Sequence, residues 1–293
     1  MSKLYKLGVV GNPIEHSLSP FIHSRFARNE NVNIEYLPYK VSEGDFNNFI
    51  KEFFQDPLSR GLNITLPHKK SAAKIVGTIS NEAKFINAVN TVAKEKEELS
   101  LFSTDGIGFI SDISSNNKFN FKGANVLFIG AGAAAESILY KVAREEVSKI
   151  SIMNRTQANA ERLVRKFSNM THINTFQNLK DSYDLIINCS SAGLTGEFDL
   201  TDKISTQKDT YFYDLNYSLV ETPFCIWART QSDNVYDGMG MLVHQAAHSF
   251  NKWFKVFPDT DPVLKDLEKM REWKGLFSSL QEQYVQHANQ RIP

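Results

Sequence analysis

The sequence predicts an α/β protein with two domains. Buried-type strand segments alternate with amphipathic helical segments along most of the chain, which favours sheets rich in parallel strands. The length of 293 residues allows two domains of ordinary size, and the polar stretch 114–122 is the candidate boundary. In addition, the apolar strand Val126–Ile129 runs directly into a glycine turn and then a helix, an arrangement typical of nucleotide-binding domains.

The composition argues against several classes of partner. Lys plus Arg number 33 and Asp plus Glu number 33, so no net charge favours nucleic acid or an acidic membrane. Two cysteines, Cys189 and Cys225, make neither a disulfide framework nor a zinc cluster. The first residues lack the apolar core of a signal peptide, and no apolar run approaches the ~20 residues that span a bilayer. We therefore expect a cytoplasmic protein without a bound metal.

The N-terminal region begins with a strand, Tyr5–Val10, and a loop over 11–20 that is dense in turn residues. Ser19 before Pro20 predicts an N-cap and the start of a helix that ends near Arg28. Ser17 and Ser19 could also present both hydroxyl groups to one small anion. Their spacing leaves the capping and ligand interpretations open, and the two can coexist.

The next segments continue the alternation of strands and helices. They predict strands over Ile34–Val41 and Gly61–Pro67, a helix over Asp45–Phe54, and a hairpin whose arms are Ala88–Ala93 and Leu99–Phe102. Pro67 ends the second of these strands, and Lys69 follows it closely. Open α/β sheets bind ligands at this end of their strands, which makes Lys69 a candidate site residue. The alternative is a solvated lysine, which is the usual situation of an isolated lysine. Asp105, in Thr104-Asp105-Gly106, is equally consistent with a helix start.

The second domain begins near Gly123 with the strand and glycine turn. The turn from Gly130 to Ala135 matches G-x-G-x-x-G/A, and apolar residues then recur at helical spacing from Ala135 to Val142. Gly130 allows the tight turn, and Gly132 lets the backbone approach a pyrophosphate at the helix N-terminus. This context predicts a Rossmann dinucleotide-binding domain.

The following strand, Lys149–Met153, indicates which dinucleotide is bound. Domains selective for NAD usually place an acidic residue at the end of this strand, where it accepts the ribose 2′-hydroxyl. Here the strand ends in Asn154-Arg155-Thr156, without an acid and with a guanidinium group suited to a 2′-phosphate. The sequence therefore predicts NADP. Thr156 is also a candidate cap for the next helix.

The rest of the chain predicts further strands at Asp184–Asn188 and Tyr211–Tyr217, and Val235–Gly238 closes the domain. A long helix follows, with Val243, Ala247 and Phe250 on its apolar face. His244 and His248 lie four residues apart on that helix, but no general-base glutamate separates them and no third ligand is near in sequence, which disfavours a metal. The segment from Asp261 to about His287 predicts a polar packing helix.

Taken in order, these motifs resemble the shikimate dehydrogenase family up to about Leu267. The matching stretches are Gly11–Pro20, Asn63–Lys69, Ala88–Thr91, Thr104–Gly106, Gly130–Ala135, Asn154–Thr156 and Asp237–Ala247. Ser103, Ala134 and Ala135 depart from the common family pattern, which affects only details of the cofactor loop. The purpose of the tail beyond Leu267 is not predicted.

The resemblance implies roles for individual residues. Lys69 and Asp105 correspond to the catalytic pair, and Ser17 and Ser19 to the pair that holds the substrate carboxylate. Residues that contact the rest of the substrate are expected to be Thr65, Asn90, Tyr217 and Gln245. Residues that contact NADP are expected to be Gly130, Ala131, Gly132, Ala133, Ala134, Asn154, Arg155, Thr156, Gly238 and Met241.

The family fold implies two α/β domains around a cleft: a substrate domain formed by residues 1–106 and 239–293, and an NADP-binding domain formed by residues 107–238. The implied reaction is reversible reduction of 3-dehydroshikimate to shikimate with NADPH, in aromatic amino-acid biosynthesis, by a monomer or homodimer. The alternatives are a quinate/shikimate dehydrogenase of broader specificity and a non-catalytic dinucleotide sensor. The sensor is disfavoured because Lys69 and Asp105 are both present.

Overall fold

The computed structural model describes residues 3–177, 181–190, 198, 200 and 204–274. Its first sheet has six strands in the order β2-β1-β3-β5-β6-β4. These strands are β1 Tyr5–Gly11, β2 Ile34–Lys40, β3 Ser59–Ile64, β4 Thr78–Ile79, β5 Thr91–Glu95 and β6 Glu98–Phe102. Strand β5 runs antiparallel to both β3 and β6, whereas the other pairs are parallel. The sheet is therefore mixed. Strand β5 can run antiparallel to β6 because a short turn joins them, without a crossover helix.

Four helices follow or separate these strands: α1 Ser19–Asn29, α2 Phe46–Gln55, α3 Lys69–Ala72 and α4 Asn81–Ile86. Helix α2 buries Phe46, Ile50 and Phe54, which recur every four residues and pack against the sheet. Helix α3 is only one turn long, so the loop after β3 stays close to the end of that strand.

The second sheet is entirely parallel, with the order β12-β11-β10-β7-β8-β9. Its strands are β7 Asn125–Ile129, β8 Lys149–Met153, β9 Ile173–Thr175, β10 Leu185–Asn188, β11 Tyr211–Asp214 and β12 Val235–Tyr236. The order reverses direction at β7, because β8 and β10 pair with its two opposite edges. Open parallel sheets bind ligands at such a switch point. The predicted α/β fold class is confirmed.

The helices of this part are α5 Asp105–Ile110, α6 Ala133–Val142, α7 Gln157–Phe167 and α8 Pro223–Ala228, with a π-helical turn at Ser111–Asn116 after α5. Helix α5 packs against α6 and also against the last long helix, α9 Met239–Phe254. Helix α5 therefore connects the two sheets through its contacts with α6 and α9. The domain limits at 106/107 and 238/239 stay a prediction.

After the second sheet the chain returns to the first. Helix α9 buries the predicted apolar face, and Trp253 near its end donates a hydrogen bond from Nε1 to the Val92 carbonyl of β5 (2.9 Å). Residues 261–274 are helical, and Val263 and Leu267 pack with α1 and α9. The remainder of the predicted C-terminal helix, to about His287, lies outside the described residues. Of the described helices, none has the length and apolar character needed to cross a membrane.

Candidate active site

A cavity of about 530 Å³ opens where β1 and β3 end. Both strands are parallel and adjacent, so the loops that follow them emerge at one edge of the sheet. Seven of the eight predicted substrate-binding residues line this cavity, namely Ser17, Ser19, Thr65, Lys69, Asn90, Tyr217 and Gln245. The eighth, Asp105, lies directly behind Lys69. The structure therefore brings the predicted set together from six separate segments, although their contacts with substrate stay a prediction.

Lys69 and Asp105 form an ion pair at the cavity wall. The Lys69 Nζ donates to Asp105 Oδ2 at 2.7 Å, across 36 positions of sequence. Lys69 begins α3 directly after the β3 loop, and Asp105 begins α5 after β6. The Lys69 side chain is 22% exposed and that of Asp105 is 7% exposed. The ammonium group thus reaches the cavity while the carboxylate holds it from the protein side.

Asn90 connects this pair to α9. Its Nδ2 lies 2.9 Å from Asp105 Oδ1 and 2.8 Å from Gln245 Oε1. Its Oδ1 accepts a hydrogen bond from the Thr104 backbone amide at 2.8 Å. Both ends of the amide are therefore occupied by groups from other segments, which fixes the orientation of its side chain. The sequence did not identify Thr104 as a supporting residue.

A second layer of polar groups lies behind the cavity. Asn63 accepts a hydrogen bond from the Tyr36 hydroxyl (2.8 Å) and donates to Ser249 Oγ (3.0 Å). Ser249 Oγ also lies 2.8 Å from Thr91 Oγ1. Burial raises the pKa of Tyr36 well above its usual value, so its hydroxyl remains a donor. These bonds hold β3 and β5 against α9. Sequence reasoning missed them as site-supporting residues, although Asn63 and Thr91 belong to the recognised motif stretches.

The two serines lie on the loop between β1 and α1. Ser17 Oγ accepts a hydrogen bond from the Ser19 backbone amide at 3.3 Å. The prediction that Ser19 is the N-cap of α1 is wrong: Leu18 occupies that position in helical conformation and its side chain makes no capping bond. The helix begins one residue earlier than the Ser-Pro pattern indicated. Ser19 is only 8% exposed, and its hydroxyl is not used for capping.

The loop between β7 and α6 has the shape that a pyrophosphate requires. Gly130 has φ +107°, and a Cβ there would lie 3.0 Å from the Cys189 carbonyl carbon, so a side chain at this position would be strained. A Cβ on Gly132 would meet no described atom within 4 Å, which leaves open space beside the backbone. Helix α6 begins at Ala133, and Gly132 at its N-cap position has no side chain to occupy the free amides.

The residues after β8 stabilise this loop and present an exposed arginine. Asn154 Oδ1 accepts from the Ala131 amide (3.0 Å), and Asn154 Nδ2 donates to the Thr156 carbonyl (2.8 Å). Arg155 is exposed and makes no hydrogen bond or ion pair with a described residue. Thr156 occupies the N-cap position of α7, but its side chain makes no capping bond, so that part of the prediction is wrong. Its main-chain carbonyl accepts from Asn159 instead.

The first turn of α9 lies against the second sheet. The Met241 amide donates to the Tyr213 hydroxyl (3.3 Å), which in turn donates to Asp112 Oδ2 (2.6 Å). A Cβ on Gly240 would lie 2.1 Å from Asp112 Oδ1, so only glycine allows this approach. Burial raises the pKa of Asp112. Gly238 is the N-cap residue of α9 and Met241 lies in its first turn, but their contacts with a cofactor stay a prediction.

The two histidines of α9 are bound to protein groups. His244 Nε2 lies 2.9 Å from Asn116 Nδ2, and His248 Nε2 lies 3.2 Å from Ser111 Oγ. Across the part of the chain that the structure describes, no three His, Cys, Asp or Glu side chains are grouped to hold a metal ion.

Comparison with protein families finds three matches along the chain. Residues 9–92 match the shikimate dehydrogenase substrate binding domain, residues 113–214 match shikimate / quinate 5-dehydrogenase, and residues 238–268 match the shikimate 5′-dehydrogenase C-terminal domain. The chain is also similar to the shikimate dehydrogenase (NADP(+)) of Psychromonas ingrahamii. The two are 38% identical over 263 residues, which cover 88% of this chain and 96% of that protein.

Solved structures agree with these matches. Shikimate 5-dehydrogenase from Thermus thermophilus, in complex with NADP(H) and shikimate, superposes with a TM-score of 0.80 at 25% identity, covering 91% of this chain and 99% of that chain. The enzyme from Listeria monocytogenes, in complex with shikimate and NAD, superposes with a TM-score of 0.81 at 26% identity, covering 91% of this chain and 97% of that chain. The chain therefore belongs to the shikimate dehydrogenase family of oxidoreductases.

Proposed function

We propose that this protein catalyses the reversible, NADP-dependent reduction of 3-dehydroshikimate to shikimate. The observation that carries the proposal is the Lys69–Asp105 ion pair at the wall of a cavity rich in polar groups. The similarity to NADP-dependent shikimate dehydrogenases supports the choice of substrate and cofactor. We further propose that reduction toward shikimate, in aromatic amino-acid biosynthesis, is its physiological direction.

Reduction of a ketone requires a hydride on carbon and a proton on oxygen. NADPH, when bound, supplies the hydride. We assign the proton to Lys69, whose Nζ lies at the cavity and can donate to the ketone oxygen as it becomes a hydroxyl. In the reverse direction the neutral amine of Lys69 accepts the hydroxyl proton. Asp105 positions the Nζ throughout, and Asn90 in turn positions the Asp105 carboxylate.

The other cavity residues would orient the substrate, a carboxylic acid with a six-membered ring. Ser17 and Ser19 supply hydroxyl groups for the carboxylate, and Thr65, Asn90 and Gln245 supply hydrogen bonds for the ring hydroxyls. Tyr217 also lines the cavity. Holding the ring at several points places the ketone beside Lys69, which is the positional contribution that a reductase needs.

The cofactor would bind along the edge of the second sheet. The loop from Gly130 to Ala134, whose backbone is open at Gly132, suits the pyrophosphate, and Arg155 suits the 2′-phosphate beside Asn154 and Thr156. Gly238 and Met241 are proposed to contact the nicotinamide end.

One set of initial-rate measurements tests the proposal. Reduction of NADP and of NAD is followed at 340 nm with shikimate and with quinate as substrates. We expect the highest kcat/KM for shikimate with NADP. Comparable kcat/KM for quinate would establish the broader quinate/shikimate dehydrogenase, and no turnover with either acid would refute the proposed function.

A further inference from the structure

The helix over residues 261–274 extends as far as the substrate cavity. Lys274 is the last described residue of this helix. It lines the same cavity of about 530 Å³ as Ser17, Tyr217 and Ser218. We infer that Lys274 provides positive charge for the carboxylate of the ring acid and so contributes to substrate specificity. This inference rests on the proposed function, because it assigns a further binding residue to the same site.

The position of this helix is fixed by several contacts. Val263 and Leu267 are buried in the cluster that joins α1 and α9. Asp266 forms an ion pair with Arg25 of α1 at 2.5 Å. Arg271 donates from Nη2 to the Ser218 carbonyl at 2.8 Å and to Asp237 Oδ2 at 2.5 Å. The last turn is therefore attached to the loop that carries Tyr217 and Ser218.

Lys274 follows Arg271 by three positions, so the two side chains lie on the same face of the helix. Arg271 bonds the Ser218 carbonyl, and Ser218 itself lines the cavity. The long side chain of Lys274 consequently extends from the same face toward the cavity wall. It is exposed and makes no hydrogen bond or ion pair with any residue within the described ranges.

The charges around the cavity favour an anion at this wall. Two lysines line the cavity, and one of them, Lys69, is already paired with Asp105 at 2.7 Å. No Asp or Glu is among the described residues that line it. A substrate whose ketone lies beside Lys69 carries its carboxylate on another ring carbon. That carboxylate can then receive hydrogen bonds from Ser17 and Ser19 and long-range attraction from Lys274.

The test is Lys274→Gln, with Lys269→Gln as the matched control. Lys269 lies on the same helix but lines the groove between this helix and α1, away from the cavity, so the control removes the same charge from another face. We expect Lys274→Gln to raise KM for shikimate about three- to fivefold, since a solvent-exposed ion pair contributes little more. The kcat and the KM for NADP should not change. Lys274→Glu should raise KM further.

Two readouts separate attraction of the carboxylate from a structural effect. Raising ionic strength should increase KM for shikimate more in the wild type than in Lys274→Gln, because salt screens exposed charges. The carboxamide of shikimate should show the same KM in both proteins. A KM for shikimate unchanged in Lys274→Gln, or an equal effect of Lys274→Gln on acid and carboxamide, would overturn the inference. Absence of shikimate oxidation in the wild type would instead refute the proposed function.

Discussion

Replacing Arg155 by alanine should separate the two nicotinamide cofactors. Arg155 is exposed and has no partner within the described part of the chain, so the substitution breaks no protein contact. A charge-assisted hydrogen bond to a phosphate contributes about 2 kcal/mol, which corresponds to about 30-fold in affinity. We therefore expect KM for NADP to rise about 10- to 30-fold, the lower values reflecting solvent screening at an exposed site. KM for NAD, which lacks the phosphate, should stay within about threefold.

The assay is the initial rate of shikimate oxidation at saturating shikimate, with each cofactor varied in turn. Arg165→Ala is a suitable control, because Arg165 is an exposed arginine of α7 that pairs with Glu161 instead of facing the glycine loop. The control should leave both KM values unchanged. If Arg155→Ala weakened NADP and NAD equally, or if the wild type used both cofactors equally well, Arg155 would not be a phosphate-binding residue.

Adding Asn154→Asp to Arg155→Ala should shift the preference toward NAD, because it restores an acceptor for the ribose hydroxyl. The structure adds a cost. An aspartate keeps the bond from the Ala131 amide but loses the bond from Asn154 Nδ2 to the Thr156 carbonyl and places a carboxylate oxygen against it. We expect a free energy of unfolding lower by about 1 kcal/mol, measured as a decrease in Tm. A double variant that still prefers NADP would contradict the reasoning.

Four further substitutions, with Lys70→Ala as a control, test other parts of the protein. Lys69→Ala should lower kcat by about 100-fold or more without changing KM for NADP, whereas Lys70→Ala, which removes the exposed neighbouring lysine, should leave kcat unchanged. Gly132→Val should raise KM for NADP by about tenfold or more with little change in Tm, because a Cβ there meets no described atom within 4 Å and the side chain enters the proposed pyrophosphate space. Gly130→Ala should lower Tm because of its positive φ. Burial lowers the pKa of His23 to about 3 from 6.5, so below pH 6.5 the unfolded chain takes up a proton that the folded protein does not. The free energy of unfolding should therefore fall as pH decreases, and at pH 5 His23→Leu should remove about 2 kcal/mol of that loss in urea titrations. Unchanged kcat in Lys69→Ala, unchanged KM in Gly132→Val, or the same acid sensitivity in His23→Leu would each contradict its prediction.

Some parts of the site are local in sequence and could be predicted from it. The apolar strand, the turn at Gly130 and the helix that follows involve neighbouring residues only, and the structure places them as expected. The same holds for Arg155, which follows directly after β8. Helix starts were less accurate. Ser19 is the first helical residue of α1 and not its cap, because the chain was already helical at Leu18.

Other parts depend on how distant segments pack. Lys69 meets Asp105 across 36 positions, and Asn90 meets Gln245 across 155, because β3, β5, α5 and α9 converge at one edge of the first sheet. The sequence alone could relate these residues only through the family resemblance. The predicted hairpin accounts for the antiparallel pairing of β5 with β6, whereas the antiparallel pairing of β5 with β3 depends on tertiary packing.

The sequence by itself therefore determined the strands, the glycine loop, the likeness to a family and the absence of an acid after β8, since each depends on backbone conformation and chemistry within a few residues. Only the tertiary structure decided that Lys69 is paired, that Thr104 and Asp112 support the site, and that Lys274 lines the substrate cavity. A polar residue on an exposed helix has the same local pattern whether it faces solvent or a cavity. What distinguishes Lys274 is the packing of its helix on α1 and α9 and the bond from Arg271 to Ser218, which join segments far apart in the chain.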